Sequence, residues 1–508
     1  MKLLSEAWLG LSGSLSNVLL LCIIVTGSLL LLDFTKRRKP WPRYPPGPPS
    51  RPFLGNLAQI SSNGPHVSFS QFQETYGDVF SLQIFWNNMV VINGYKAIEE
   101  ALLHKPEDIA DRPRYPLCEY FGYAGKSKGL LLAEYGRLWK EQRRFALSTL
   151  RNFGMGKKSL EEKVVEEAGH LCSAFESEQG GPFNPHFLVY NAVSNVICSI
   201  TFGERFEYDD DKFQRLLKLF VQTLKNESGP LAMLLNEVPF LLRVPGLANK
   251  VLLPEIQTLH ILQEIVTEHK RTRDPEHCRD FIDAYLQEME KVKGDEESSF
   301  NEKNLLLTTL DLFSAGTETT SATLRWSLLF MLLYPEVQEK VHKEIDQVIG
   351  RNMRPTMGDQ LKMPYTNAVI HEVQRYGDIS PLAVPHRTYR DTEIQGFYIP
   401  KGMTVTVNLS SVLKDKKLWE RPLQFYPEHF LNAEGKFVKP EAFVPFSAGR
   451  RACPGEQLAR MELFLFFTTL LQQFTFEIPE DQPRPWEEPV FEVSLSPHPF
   501  KMCAKLRP

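Results

Sequence analysis

The chain has 508 residues, 43% of them hydrophobic and 24% charged, with a net charge of −4. That length and composition allow a large core, and the weakly acidic balance gives no electrostatic case for a nucleic-acid partner. The 7 cysteines, at Cys22, Cys118, Cys172, Cys198, Cys278, Cys453 and Cys503, form no CxxC pair, which argues against a disulfide framework or zinc site and fits a reducing compartment.

Leu9 to Leu32 is almost free of charge and is densest in apolar residues from Val18 on. That is about the length needed to cross a hydrocarbon core of roughly 30 Å. Lys36, Arg37, Arg38 and Lys39 follow at once, so the positive-inside rule places the body of the protein on the cytosolic side. A cleaved signal peptide is the alternative, disfavoured because basic residues rather than a small-residue cleavage site come next. Residues 1–34 are therefore read as a membrane anchor. Residues 35–50 are basic and proline-rich (Pro40, Pro42, Pro45, Pro46, Pro48, Pro49). Proline fixes φ and stops the helix, so this segment reads as a stiff, extended hinge. Residues 51–508 follow as one domain, with no second boundary and no internal repeat.

Gly77–Asn93 predicts a hairpin turning at Asn87-Asn88. Helical periodicity then dominates, clearest over Leu138–Leu150, Glu161–Phe175, Asn191–Thr201, Phe213–Lys225, Leu252–Thr272 and Lys303–Tyr334. Trp139 and Arg143, four apart, share one helix face. Pro239–Gly246 is an apolar tip between helices, read either as core packing or as a second membrane contact.

Leu305–Tyr334 is too long and apolar for a surface helix. At its centre stands Ala315-Gly316-Thr317-Glu318-Thr319-Thr320. Glycine costs a helix interior about 1 kcal/mol, so close approach of something to the backbone is expected there. Thr319 can bond to the carbonyl four residues earlier and bend the helix, opening a groove. Glu372 and Arg375 share a helix face further on. After Pro381 come short strands (Thr392–Tyr398, Thr404–Asn408, Phe491–Ser496), giving a mainly α fold with a small β region. The last motif is Phe446-Ser-Ala-Gly-Arg-Arg-Ala-Cys453-Pro-Gly455, ahead of an apolar helix from Gly455 to Phe474 with Pro454 at its first position. A sulfur at a helix N-terminus feels its unpaired N–H groups and positive dipole, which lower its pKa toward the metal-binding thiolate. Gly449 and Gly455 would let the backbone lie against something flat.

Phe446, Gly449, Arg451, Cys453 and Gly455 together resemble the haem-thiolate signature of the cytochrome P-450 family. Ala315–Thr319 is similar to that family's oxygen-activating helix, and Glu372–Arg375 to its Glu-x-x-Arg. Pro427-Glu428-His429-Phe430 resembles Pro-Glu-Arg-Phe, with His429 in place of arginine, a departure that weakens the expected charge network at its third member. The resemblance spans the chain and is closest to the microsomal family-two group, through Trp139–Arg144, Asn152–Gly156 and Pro364–Arg375. Asn191–Phe206 and Asp311–Trp326 look most like the subgroup that oxidises arachidonic acid and also attacks drugs.

The resemblance implies the cytochrome P-450 fold, with haem b on the Cys453 thiolate and Trp139, Arg143, Arg451, His386 and Arg112 at its propionates. It gives Thr319 and Glu318 the delivery of protons to activated dioxygen, and Ala315 and Gly316 the border of the oxygen pocket. By position against the motifs, Leu312, Ala315, Ile379, Leu382, Val384 and Leu495 would face substrate, while Glu372, Arg375 and His429 are structural. The activity implied is insertion of one oxygen atom into lipophilic substrates such as arachidonic acid, xenobiotics or steroids, at the endoplasmic-reticulum membrane. No dinucleotide or flavin fingerprint is present, so NADPH would act through a reductase, with cytochrome b5 as a further partner. Arg137, Lys140, Arg144, Lys157 and Lys158, with Arg450 and Lys436, would offer that acidic flavoprotein a basic face. A haem-thiolate isomerase acting on peroxides is the rival enzyme; Thr319 beside Glu318 argues against it, because that chemistry needs no proton relay. A membrane-tethered haem carrier or sensor is the non-catalytic rival.

Overall fold

The computed structural model describes residues 20–35, 41–61, 64–155, 158–491 and 494–508. Residues 20–35 form α1, whose Leu20, Ile24, Leu31 and Phe34 side chains are exposed. Asp33 is buried at its end, where Oδ1 accepts from the Phe53 backbone N–H (2.9 Å) and the Trp86 indole (3.2 Å). Among the described residues no helix is long and apolar enough to cross a membrane. Residues 9–19 of the predicted span, and Lys36–Lys39, lie outside them.

Helix α2 (Pro65–Tyr76) packs on the hairpin of β1 (Val79–Ile84) and β2 (Asn87–Ile92). The turn falls at Phe85-Trp86, two residues before the predicted place, because Ile84 pairs with Asn87. This register sets Val79–Leu82 against Met89–Ile92, and Phe85 takes the positive φ (51°) that two-residue hairpins require. Short helices α3 (Tyr95–Glu99) and α4 (Pro116–Phe121) follow.

The helical body comprises α5 (Arg137–Asn152), α6 (Lys158–Glu176), α7 (His186–Thr201), α8 (Asp211–Glu227), α9 (Pro230–Glu237), α10 (Asn249–Thr272), α11 (Phe281–Lys291), α12 (Glu302–Leu333), α13 (Pro335–Val348), α14 (Met357–Gln360) and α15 (Pro364–Gly377). Side-chain caps set several starts: Asp210, Asp280 and Asn301 accept from the N–H three residues on. Pro335 ends α12 and opens α13. Between α9 and α10, Pro239–Arg243 makes a tight 3₁₀ turn in which Phe240 and Val244 are exposed while Leu241 and Leu242 pack half-buried on a small apolar cluster.

Helix α12 is buried on nearly every side from Leu324 to Leu333, and α7, α10, α15 and α17 (Glu456–Gln473) pack around it. Between α15 and α17 lie β3 (His386–Arg387), β4 (Thr392–Ile394), β5 (Phe397–Ile399), β6 (Thr404–Val407) and α16 (Ser410–Leu413). The sheet runs β1-β2-β6-β3, with β2 and β6 parallel. The single strand expected over Thr392–Tyr398 is a hairpin, β4 against β5, because Gln395-Gly396 both take positive φ. The chain ends with β7 (Phe474–Glu477), β8 (Pro489–Phe491), β9 (Leu495–Pro497) and β10 (Cys503–Leu506). One apolar core fills the helical body and a second underlies the sheet. The region where they meet carries the cysteine motif.

Candidate active site

Cys453 sits at the exit of a loop closed by its own N–H donating to Phe446 O (3.0 Å). Gly449 has φ 74°, and a Cβ there would collide with the Leu102 carbonyl. Its glycine therefore serves backbone-to-backbone packing, not the flat ligand expected. At Gly455 a Cβ would meet only Cys453 Sγ, at 3.9 Å. Gly455 caps α17, so Pro454 lies before the cap and not at the first helical position. Arg460 of α17 stacks on the Phe446 ring, 5.3 Å away.

The Cys453 side chain is exposed, yet burial is the strongest influence on its thiol and pushes the pKa above the ordinary value. Both hold when the sulfur faces an internal space. Bonds from the Gly455 and Glu456 N–H groups and the charge of Arg143 pull the other way, but they lose to desolvation. The helix-end groups thus act in the expected direction, but burial outweighs them and the pKa is raised rather than lowered.

Four chain segments converge beside the sulfur. Arg143 of α5 donates to Ala452 O (2.7 Å). Arg451 donates to Ala110 O (2.7 Å) and Ala133 O (2.6 Å), with its guanidinium 4.0 Å from the Trp139 ring. Arg112 donates to Leu131 O (3.1 Å), Val384 O (2.8 Å) and Pro385 O (2.9 Å). Burial and then the charge of Arg112 push Arg451 down to about 8, and burial takes Arg112 to about 10. Asp111, the nearby acid, is taken by Arg387 (2.6 Å). Among the described residues none of the three arginines forms an ion pair. Two buried guanidiniums and the half-buried Arg143, mutually repelling, call for an anion of more than one charge, so the donor set fits a haem with two propionates. His386 is buried, and its Nδ1–H donates to Ile109 O (2.8 Å). Burial holds its pKa down near 3, so its Nε2 offers a proton to a carboxylate only as imidazolium.

On α12, the Thr319 hydroxyl donates to Ala315 O (2.7 Å), the back-bond expected from the sequence. Gly316 does not open toward the sulfur side: a Cβ there would lie 2.5 Å from Ile197 Cδ1. The approaching group is α7. Glu318 accepts from the buried Ser494 hydroxyl (2.8 Å), a partner that no spacing rule announced. Ala315 and Val384 are exposed to the internal space, while Leu312 and Ile379 are half-buried against the main core. Leu382 packs with Phe69 and Phe80 in a small satellite cluster. Leu495 is fully buried, its carbonyl held by the Trp326 indole (2.9 Å). It is core, and its neighbours 492–493 lie outside the described residues.

Glu372 and Arg375 form a bidentate pair (2.7 Å for both bonds), entirely buried rather than solvated. Arg375 also donates to the carbonyls of Leu413, Pro422 and Gln424. His429 completes the network after all: Nδ1–H donates to Glu372 (3.2 Å) and Nε2 accepts from the Arg421 N–H (3.1 Å). The ring spans the gap that a longer arginine would fill.

Sequence comparison bears on the whole of this arrangement. Residues 45–504 match the family Cytochrome P450, and the chain belongs to that family, a class of haem-thiolate monooxygenases whose haem b is held by a cysteine thiolate. It is 56% identical over 489 residues to Cytochrome P450 2D15 of Canis lupus familiaris, covering 96% of this chain and 98% of that protein. It is 57% identical over 486 residues to Cytochrome P450 2D6 of Homo sapiens, covering 95% and 98%. To Cytochrome P450 2D3 of Rattus norvegicus the figures are 55% over 478 residues, 94% and 96%. All three carry family-two names, in line with the resemblance read from the sequence.

Proposed function

We propose that in this monooxygenase Cys453 would supply the thiolate that holds the haem iron, that Arg112, Arg143 and Arg451 with Trp139 would hold the propionates, joined by His386 only in its imidazolium form, and that Thr319 with Glu318 manages protons. The observation that carries the reading is the set of three guanidiniums, without ion pairs among the described residues, gathered near Cys453 from separate segments. When bound, haem b supplies the activation of oxygen. The remaining work belongs to the chain. Thr319 donates to Ala315 O, which leaves its lone pairs open to accept a hydrogen bond; a proton leaves Oγ1 only when the hydroxyl turns away from Ala315. Glu318, which accepts from Ser494, would replace that proton by swinging toward Thr319 after taking one up from solvent. Ala315, Leu312 and Val384 give the space an apolar wall that orients a lipophilic substrate and limits water.

The substrates we propose are lipophilic: fatty acids such as arachidonic acid, xenobiotics or steroids. Electrons come from NADPH through NADPH-cytochrome P-450 reductase, with cytochrome b5 as a second donor. Exposed Arg144, Lys158 and Lys436 support a docking face for such an acidic partner, whereas Arg450 is already paired with Glu107 (3.2 Å). The apolar run up to Leu32 and the basic cluster Lys36–Lys39 support an endoplasmic-reticulum anchor with the catalytic domain in the cytosol.

A reduced carbon-monoxide difference spectrum tests the ligand. We expect the red-shifted band of thiolate ligation in the native chain and its loss in Cys453→Ser; a histidine-type spectrum overturns the assignment. Substrate-dependent NADPH consumption with reductase then separates a monooxygenase from an isomerase or a haem carrier.

A further inference from the structure

Tyr190 of α7 is 2% exposed, and among the described residues its hydroxyl has no hydrogen-bond partner. Seven residues on stands Ile197, which closes on Gly316 of α12. Seven residues are about two helical turns, so Tyr190 and Ile197 share one face of α7. Glu318 and Arg325 are likewise seven apart and share one face of α12. Both charges reach Tyr190: burial raises its pKa well above the ordinary value, Glu318 adds to the rise and Arg325 opposes it. The two faces therefore meet. One turn back on α7, the His186 ring stacks on Tyr190, with centroids 5.8 Å apart. His186 Nδ1 is buried and has no partner among the described residues. The ring as a whole is half-buried, and the adjoining Phe187 is exposed, so α7 opens to solvent at this end. Burial and then the Arg325 charge push His186 down to about 4; at neutral pH the ring keeps one N–H and one lone pair. Rings stacked face to face do not bond each other directly, and buried polar atoms that lack protein partners are met by ordered water.

We propose that Tyr190 passes protons from solvent to Glu318, with His186 at the entrance. A proton from solvent enters at the His186 ring and the water beside it. The Tyr190 oxygen accepts that proton as its own O–H proton goes to the Glu318 carboxylate. The hydroxyl ends neutral, as it began, and nothing is oxidised or reduced. A phenol that exchanges one proton for another is never a phenolate, so the cost of charging it in a buried site does not arise. Tyr190 acts only through Glu318 and is a positioning residue for the reaction. The proposal rests on the reading of Glu318 and Thr319 as the proton-handling pair.

Tyr190→Phe tests it on the full-length, haem-loaded protein, because it removes one oxygen and keeps the stacked ring. Oxidation of arachidonic acid is driven in two ways, by NADPH with reductase and by cumene hydroperoxide, which brings its own O–O bond and proton. The NADPH-driven rate should fall on the order of tenfold, short of the roughly 10²–10⁴ owed to an acid that meets the reacting atoms itself. The ratio of rates in H₂O and D₂O should rise above the native value. The peroxide-driven rate and the reduced carbon-monoxide band should stay native. A native NADPH-driven rate with a native isotope ratio overturns the proposal, and so does an equal fall by both routes, which a distorted helix contact would produce. His186→Phe keeps the stack without the ring nitrogens and should lower the NADPH-driven rate in the same sense; no change there overturns the entrance. Glu318→Gln, run in parallel, keeps the two ideas apart. A native rate in Glu318→Gln sinks the proton-handling reading itself, whereas a loss there beside a native Tyr190→Phe sinks the tyrosine route alone.

Discussion

Replacing Arg375 with methionine would strip Glu372 of its only full charge partner while leaving the carboxylate at 0% exposure. Three carbonyls, of Leu413, Pro422 and Gln424, would lose their donor at the same time. Breaking a buried ion pair from one side costs about 3–5 kcal/mol, set against a net stability of roughly 5–15 kcal/mol for a folded domain. The Tyr426 N–H (2.8 Å) and His429 remain on Glu372, so the lower part of that range applies if they soften the orphaned charge. Guanidinium denaturation of the haem-loaded protein, followed by haem absorbance and by far-UV circular dichroism, measures the loss. The double variant Glu372→Gln/Arg375→Met should recover much of it, since no lone charge is left. His429→Ala, which removes one hydrogen bond to the carboxylate and one from the Arg421 N–H, should cost less, about 1–3 kcal/mol. If Arg375→Met costs under about 1 kcal/mol, as an exposed pair would, the network is not the buried clamp described.

Gly316→Ala gains about 1 kcal/mol of helix propensity but places a methyl against Ile197 Cδ1, so it should be net destabilising in the native chain and tolerated in an Ile197→Ala background. A double-mutant cycle by denaturant unfolding should give a coupling of about 1–2 kcal/mol; no coupling would mean the helices separate freely. His269 donates from both ring nitrogens, to Ile265 O and Asp280 (2.8 Å each). Burial disfavours its charge, but the Asp280 bond and charge more than reverse this, and its pKa is raised above 6.5. The pair's stabilisation is therefore complete below pH 6.5 and is lost as pH rises through the raised value. Asp280→Asn should flatten the stability-versus-pH curve over that interval, and an unchanged curve would reject the linkage. Thr319→Ala should uncouple NADPH use from product formation without altering the carbon-monoxide band.

Helices with strong periodicity, such as α5, α8 and α12, were legible to within a few residues because the pattern that buries one face is local. The boundaries that slipped were turns. The Phe85-Trp86 hairpin and the β4–β5 turn depend on which apolar residues face each other across strands, and that is a pairing decision. The cysteine loop and the Thr319 back-bond on α12 could be named from short motifs, since a threonine and a sulfur carry their chemistry in a few adjacent residues. Ser494 and the Ala110 and Ala133 carbonyls could not be found that way, because they lie far off in the chain.

By itself the sequence determined where the helices run, which sulfur precedes a helix start and which threonine bonds back along its helix, because each follows from residues within one or two turns of each other. Tertiary packing decided the rest. It set whether Cys453 is desolvated more strongly than its helix end stabilises it, whether Gly316 admits a ligand or a neighbouring isoleucine, and whether Leu495 faces a cavity or the core. It also gathered Arg112, Arg143 and Arg451 from separate segments into one cationic cradle. Desolvation, close contact and like-charge repulsion act over a few ångströms of space, and only the folded chain sets those distances.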